Sequence, residues 1–200
     1  MRAKFVEKTT KYILKYYDYN GKKLDKIKYG LAVLFSLFTK TLVIVICSML
    51  LGTTKSTLFL ILIYSGIRLF SFGIHAAKTA YCWMVTIPLY GILPLIINVM
   101  SLNSYIKMLS IIFALTSLFL YSPSDTKHRP LINPKKRRFA KVASVTIGTV
   151  YSLFLIFSTN VLLQNTIFVV LILQSIVINP ITYKIFKMPY NNYLTYVKPV

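Results

Sequence analysis

The chain has 200 residues, enough for one compact domain, and 56% of them are hydrophobic with a mean hydropathy of +0.65, well above an ordinary soluble chain. Its formal charge of +20 rests on 24 Lys and Arg against four acids, Glu7, Asp18, Asp25 and Asp125. Two cysteines exclude a disulfide framework, and the placement of the charge, followed below, argues against a nucleic-acid partner.

Residues 1–29 carry nine Lys or Arg with three acids. Lys4, Lys8, Lys11 and Lys15 recur at helical intervals, and Phe5, Tyr12, Ile13 and Tyr16 supply apolar area. This pattern predicts a basic amphipathic helix lying on an anionic lipid bilayer. The segment lacks the short apolar core and small-residue cleavage site of a signal peptide. Domain organisation follows: 1–29 as a cytoplasmic basic segment and 30–200 as a membrane domain.

Six apolar runs follow, at 30–51, 57–70, 83–101, 108–122, 142–160 and 161–183. Most approach the roughly 20 residues that cross a bilayer core of about 30 Å. The fold class is therefore an all-α integral membrane protein with six transmembrane helices. Lys40 interrupts the first run and must snorkel, face protein or line a wet cavity. Cys47 lies inside the same run and reads as a buried, inert thiol. Pro88 and Pro94 predict a kinked third span. Residues 123–141 read as a polar, basic loop broken by three prolines.

With an inside N-terminus, the inner segments 1–29, 68–82, 123–141 and 184–200 hold nine, two, seven and three of the 24 cations. The positive-inside rule then places both termini in the cytoplasm of a multi-pass membrane protein. The charge reads as topology and lipid contact, so no nucleic acid is expected.

The polar island from Arg68 to Trp83 holds one of two histidines, His75, and one of two cysteines, Cys82. An imidazole can take the proton of a thiol and leave a nucleophilic thiolate. On a straight helix the two side chains would lie about 10 Å apart along the axis, too far for a hydrogen bond. A working pair thus requires a helix break between residues 72 and 81, with Gly73 supplying freedom. Cys82 then opens the next apolar run, where a helix N-terminus favours a thiolate and an oxyanion. Packing and surface roles for the same two residues are the plain alternative.

The segment Arg68…Gly73-Ile74-His75-Ala76…Cys82 resembles the signature of the accessory gene regulator protein B (AgrB) family, membrane cysteine endopeptidases of Gram-positive quorum sensing. Residues Tyr121-Ser122-Pro123-Ser124-Asp125-Thr126, Arg129-Pro130-Leu131 and Lys135-Lys136-Arg137-Arg138 resemble a second family segment. Phe72 departs from the pattern, standing where a second glycine is expected. The resemblance implies that Cys82 is the nucleophile and His75 the general base and acid. The substrate implied is a short AgrD-type precursor peptide. Its C-terminal tail leaves as Cys82 forms a thioester, and a substrate Cys or Ser then closes a cyclic autoinducing peptide. A homodimer is also implied, and no cofactor.

Asp125 is a candidate orienter of His75, with a turn cap as the alternative. Arg68 is a candidate to pair with Asp125 or hold substrate backbone; snorkelling at the interface is its plainest role. Gly73 is a candidate for close substrate approach. Lys135, Lys136, Arg137 and Arg138 are candidates for an acidic substrate tail, though four cations before a span also set orientation. A zinc site is not expected, because His75, Cys82 and His128 lack ligand spacing and a nearby carboxylate. Two other classes stay open: a small peptide exporter and a non-catalytic membrane scaffold.

Overall fold

The computed structural model describes residues 2–17, 19, 21–74, 79–126 and 131–195. They form helices α1 (Arg2–Leu14), α2 (Lys22–Leu50), α3 (Thr54–Ser71), α4 (Thr79–Val99), α5 (Ser104–Tyr121), α6 (Pro134–Phe157), α7 (Val161–Ile178), α8 (Pro180–Ile185) and α9 (Asn192–Thr195). No β-strand occurs among the described residues; one isolated parallel bridge pairs Phe72 with Ser124. The chain divides into two compact units, Met1–Leu50 and Leu51–Val200.

In the first unit α1 packs on α2, with the rings of Phe5 and Phe35 5.0 Å apart. Lys4, Lys8 and Lys11 are exposed on α1, and Lys11 pairs with Glu7 at 2.9 Å. That contact holds the Glu7 carboxyl below its usual range. Helix α2 begins at Lys22, before the apolar run expected from Gly30, and Asp25 in its first turn complements the helix dipole. Cys47 is exposed, which corrects the expectation of a buried thiol. The reason is general: on a membrane-length helix an apolar run can face lipid, so apolarity does not imply burial.

In the second unit α7 is the central helix, packed by α3, α4, α5 and α6. Its buried face includes Thr166, Ile167, Val170, Leu171, Ser175 and Ile178. The neighbours approach through small residues. On α6 the buried positions are Ala140, Ser144, Gly148 and Ser152, at i, i+4 steps, followed by Leu155. On α5 they include Ser110, Ala114 and Ser117. Small residues let backbones come close where lipid supplies no hydrophobic drive between helices, and van der Waals packing and hydrogen bonds hold the contact. At Gly66 a Cβ would sit 2.7 Å from the Tyr151 hydroxyl, which itself donates to the Ile63 carbonyl at 3.0 Å.

Asparagine sets the helix starts. Asn103, Asn133, Asn160 and Asn179 each N-cap a helix with a side-chain oxygen that accepts a backbone N–H. Two expected boundaries move as a result. Asn133 and Pro134 start α6 inside the stretch expected as a loop over 123–141, so the Lys135–Arg138 run forms the first turns of a helix. Asn179 and Pro180 end α7 at Ile178 and start α8, so the span expected to reach residue 183 is shorter.

Among the described residues, four helices can cross a membrane by length and composition: Lys23–Leu50, Ser104–Tyr121, Pro134–Phe157 and Val161–Ile178. A shorter apolar helix, Trp83–Val99, accompanies them. These apolar helices indicate a multi-pass membrane protein.

Candidate functional site

The site is built on the way out of α3. That helix stops because Phe72 turns to a φ of 58°, its N–H still bonded to the Arg68 carbonyl at 3.1 Å. Gly73 follows at φ 116°, and a Cβ there would lie 2.6 Å from Val177 Cγ1 and 3.2 Å from the Val177 carbonyl oxygen. Only glycine combines that dihedral with that approach. A glycine is present at 73 and absent at 72, so Phe72 carries positive-φ strain that the surroundings must hold.

They hold it with a nearly complete set of hydrogen bonds. Ser124 N–H donates to the Ser71 carbonyl at 3.0 Å, and Gly73 N–H donates to the Ser124 carbonyl at 2.9 Å. Ile74 N–H donates to the Val177 carbonyl at 3.3 Å. The Gln174 amide donates to Ser71 Oγ at 2.6 Å and to the Phe72 carbonyl at 2.9 Å. Arg68 closes the set: one guanidinium nitrogen donates to the Ile74 carbonyl at 2.7 Å and the other to the Tyr64 hydroxyl at 2.7 Å. The backbone delivered to position 75 is thereby fixed from α3, α7 and the 122–126 segment.

Residues 75–78, and the side chains through Cys82, lie outside the described residues. The His75–Cys82 separation therefore falls there. Within the described residues, α3 ends at Ser71, Phe72–Ile74 are non-helical, and α4 starts at Thr79 with Cys82 in its first turn. His75 and Cys82 are thus not on one uninterrupted helix running from 68 to 90.

Asp125 is fully buried. Its carboxylate accepts Asn192 N–H at 3.1 Å, Tyr193 N–H at 3.0 Å and Leu131 N–H at 3.3 Å. Its ion-pair partner among the described residues is Arg137, at 3.8 Å, not Arg68. Arg68 spans an interior gap between Tyr64 and Ile74, so the snorkelling expected of it gives way to a structural bond next to the site. The four-cation run also divides. Arg137 turns inward and lies 3.6 Å from the Tyr193 ring centre, while Lys135, Lys136 and Arg138 are exposed. Lys135 and Arg138 flank an open apolar groove formed with Pro134, Phe139 and Val142.

Three residues that support this region escaped the sequence reading: Gln174, Tyr183 and Asn192. Tyr183 is buried, and its hydroxyl donates to the Ser124 and Asp125 carbonyls at 3.1 and 3.3 Å. Burial pushes its phenol, and that of Tyr190, above the ordinary tyrosine range, which keeps Tyr183 a donor. The available signal was a glutamine inside an apolar span, which is costly in lipid unless partnered.

The model of the family described as accessory gene regulator B matches residues 6–178. A putative AgrB-like protein of Listeria innocua is 31% identical over 86% of this chain and 84% of its own length. A putative AgrB-like protein of Clostridium acetobutylicum is 25% identical over 93% of this chain and 89% of its own length. The accessory gene regulator protein B of Staphylococcus saprophyticus is 30% identical over 67% of this chain and 73% of its own length. No solved structure matches. With the matched region spanning both the His75–Cys82 segment and the helices that frame it, the chain belongs to the accessory gene regulator B family, membership that implies a role in quorum-sensing peptide processing.

Proposed function

We propose that this protein is a membrane-embedded cysteine endopeptidase and cyclase acting on an AgrD-type precursor peptide. The observation that carries the reading is the change of chain direction at Phe72–Ile74, immediately before His75, with Cys82 in the first turn of the next helix. The helix is interrupted just ahead of His75, within the stretch where a working pair requires the chain to bend.

His75 takes the Cys82 proton, and the sulfur attacks one peptide carbonyl of the precursor. The C–N bond breaks, the tail amine leaves with the proton held by His75, and a thioester to Cys82 remains. Free N–H groups in the first turn of α4 suit the tetrahedral oxyanion. A substrate thiol then attacks the thioester, its proton returns through His75 to Cys82, and a thiolactone ring closes; a substrate hydroxyl would give a lactone. Exchange of one thioester for another is nearly neutral in free energy, so no ATP and no cofactor are required. An apolar surrounding keeps water from the acyl intermediate.

In this reading α3 and α4 complete six spans, and the Lys and Arg distribution sets both termini and the site at the cytoplasmic face of the bacterial membrane. Helix α1 lies on anionic lipid, and two copies form the working unit. Gly73 packs on Val177 and turns the chain toward the site, Arg68 holds that segment, and the exposed Lys135, Lys136 and Arg138 receive the precursor's acidic tail.

The test uses protein in liposomes with the precursor, read by intact mass spectrometry. Wild type should give a tail-less peptide lighter by one water, and an acyl adduct on Cys82. Cys82→Ala and His75→Ala should give neither. Processing by folded Cys82→Ala would sink the reading. An uncut peptide that crosses the bilayer in all three samples would favour an exporter.

A further inference from the structure

We infer that the C-terminal strap, residues 189–195, is a positioning element for His75, and that Asp125 is the residue through which it acts. The inference rests on His75 and Cys82 being the catalytic pair.

A carboxylate with no exposed surface is costly unless its oxygens are occupied. Among the described residues, two of the three backbone donors on Asp125 come from the strap, Asn192 N–H and Tyr193 N–H. The strap adds two further ties. Asn192 Nδ2 donates to the Asp125 carbonyl at 3.3 Å and to the Pro189 carbonyl at 2.8 Å. The Tyr193 ring lies under Arg137, whose guanidinium is also the carboxylate's charge partner. Without the strap, the described residues would leave Asp125 the Leu131 N–H and a guanidinium at 3.8 Å. The segment it anchors would keep Tyr183 and the Ser124 backbone bonds but lose its hold on the strap side.

That segment leads directly to the site. Ser124, the neighbour of Asp125, exchanges backbone hydrogen bonds with Ser71 and Gly73. Tyr183 grips the same two carbonyls, Ser124 and Asp125, and its ring packs edge-on against Tyr190 at 5.1 Å. The order of contact is strap, Asp125, Ser124, Gly73 and Ile74, and the next residue is His75. The other side of the exit from α3 is held independently by Gln174. Loss of the strap should therefore leave the helix core standing while the segment that leads into His75 loosens. Asp125 is thus a positioning residue that works through backbone hydrogen bonds.

The experiment uses full-length protein in liposomes carrying Cys47→Ser, so that Cys82 is the remaining thiol. It measures kcat and KM for the precursor and the pH profile of Cys82 alkylation by iodoacetamide. Wild type, His75→Ala, Asp125→Asn, Tyr193→Ala and a chain ending at Tyr190 are compared. Pairing with His75 should let wild-type Cys82 react at lower pH than in His75→Ala. Asp125→Asn and the shortened chain should take on the His75→Ala profile, with kcat down about a hundredfold and KM within about threefold. Tyr193→Ala keeps the strap backbone and should lose about tenfold in kcat; it keeps the inference testable if the other two do not fold. Folded variants with a wild-type profile and kcat would overturn the strap's role while leaving the catalytic pair intact. A higher KM with unchanged kcat would also overturn it, assigning the strap to substrate binding. Identical profiles for wild type and His75→Ala would overturn the pair itself, and the inference with it.

Discussion

The two ends of α7 each carry a buried amide side chain, and they use it differently. Near the N-terminal end, Asn165 donates to the Ile97 and Met100 carbonyls at 2.9 and 2.7 Å. Those carbonyls belong to the end of α4, where a helix leaves acceptors without intrahelical partners. Asn165 therefore completes a regular helix end. Near the C-terminal end, Gln174 also donates twice, but into a backbone with Phe72 at positive φ and Gly73 pressed on Val177. Its own Oε1 has no partner among the described residues. A regular, satisfied end speaks of stability; a strained, incompletely satisfied one marks a place where geometry is held for chemistry.

The sharpest way to break the comparison is Gly73→Ala. The new methyl meets Val177 in a dihedral that alanine resists, and the displaced backbone feeds position 75. Processing of precursor in liposomes should fall about a hundredfold. Adding Val177→Ala should restore part of the rate, because the dihedral strain remains. A Gly73→Ala protein with wild-type rate would remove the claim that this end is built for positioning.

Next comes the direct contrast between Gln174→Leu and Asn165→Leu. Each deletes two buried donors, so each should cost about 1–2 kcal/mol in detergent unfolding. Only Gln174→Leu should also slow processing per folded molecule. Equal rate losses for the two would erase the difference between the ends. Tyr183→Phe sharpens the same point with a smaller effect. It removes one hydroxyl from the Ser124 and Asp125 carbonyls, and kcat should drop about tenfold with KM unchanged. The smallest effect belongs to Asn103→Ala, which uncaps α5. It should cost about 1 kcal/mol and leave the processing rate as it was. A rate loss there would mean that the start of α5 takes part in the chemistry.

The helical character was legible because apolar runs of near-bilayer length admit few other structures. The interruption at Phe72–Ile74 falls in the stretch where chemistry called for one, since a base and a thiol seven residues apart cannot meet on a straight helix. Boundaries were less legible. Asn133-Pro134 and Asn179-Pro180 are local start signals that reset helices inside stretches whose composition suggested a loop and a single span. Cys47 was misjudged because burial in a membrane chain depends on which neighbour a helix meets, and apolarity does not encode that. Arg68 and Asp125 each took a partner that no spacing rule names.

The sequence by itself determined the all-α class, the membrane-length helices, the asymmetric charge and the segment in which to look for chemistry. These follow from local propensity, hydropathy and the cost of charge in lipid. Tertiary structure alone decided that Gln174 reaches Ser71 and Phe72, that Ser124 pairs with Gly73, and that Asp125 holds the strap at Asn192 and Tyr193. Those bonds join segments far apart in the chain. They exist because buried backbone groups at the broken end of α3 must find partners wherever packing supplies them.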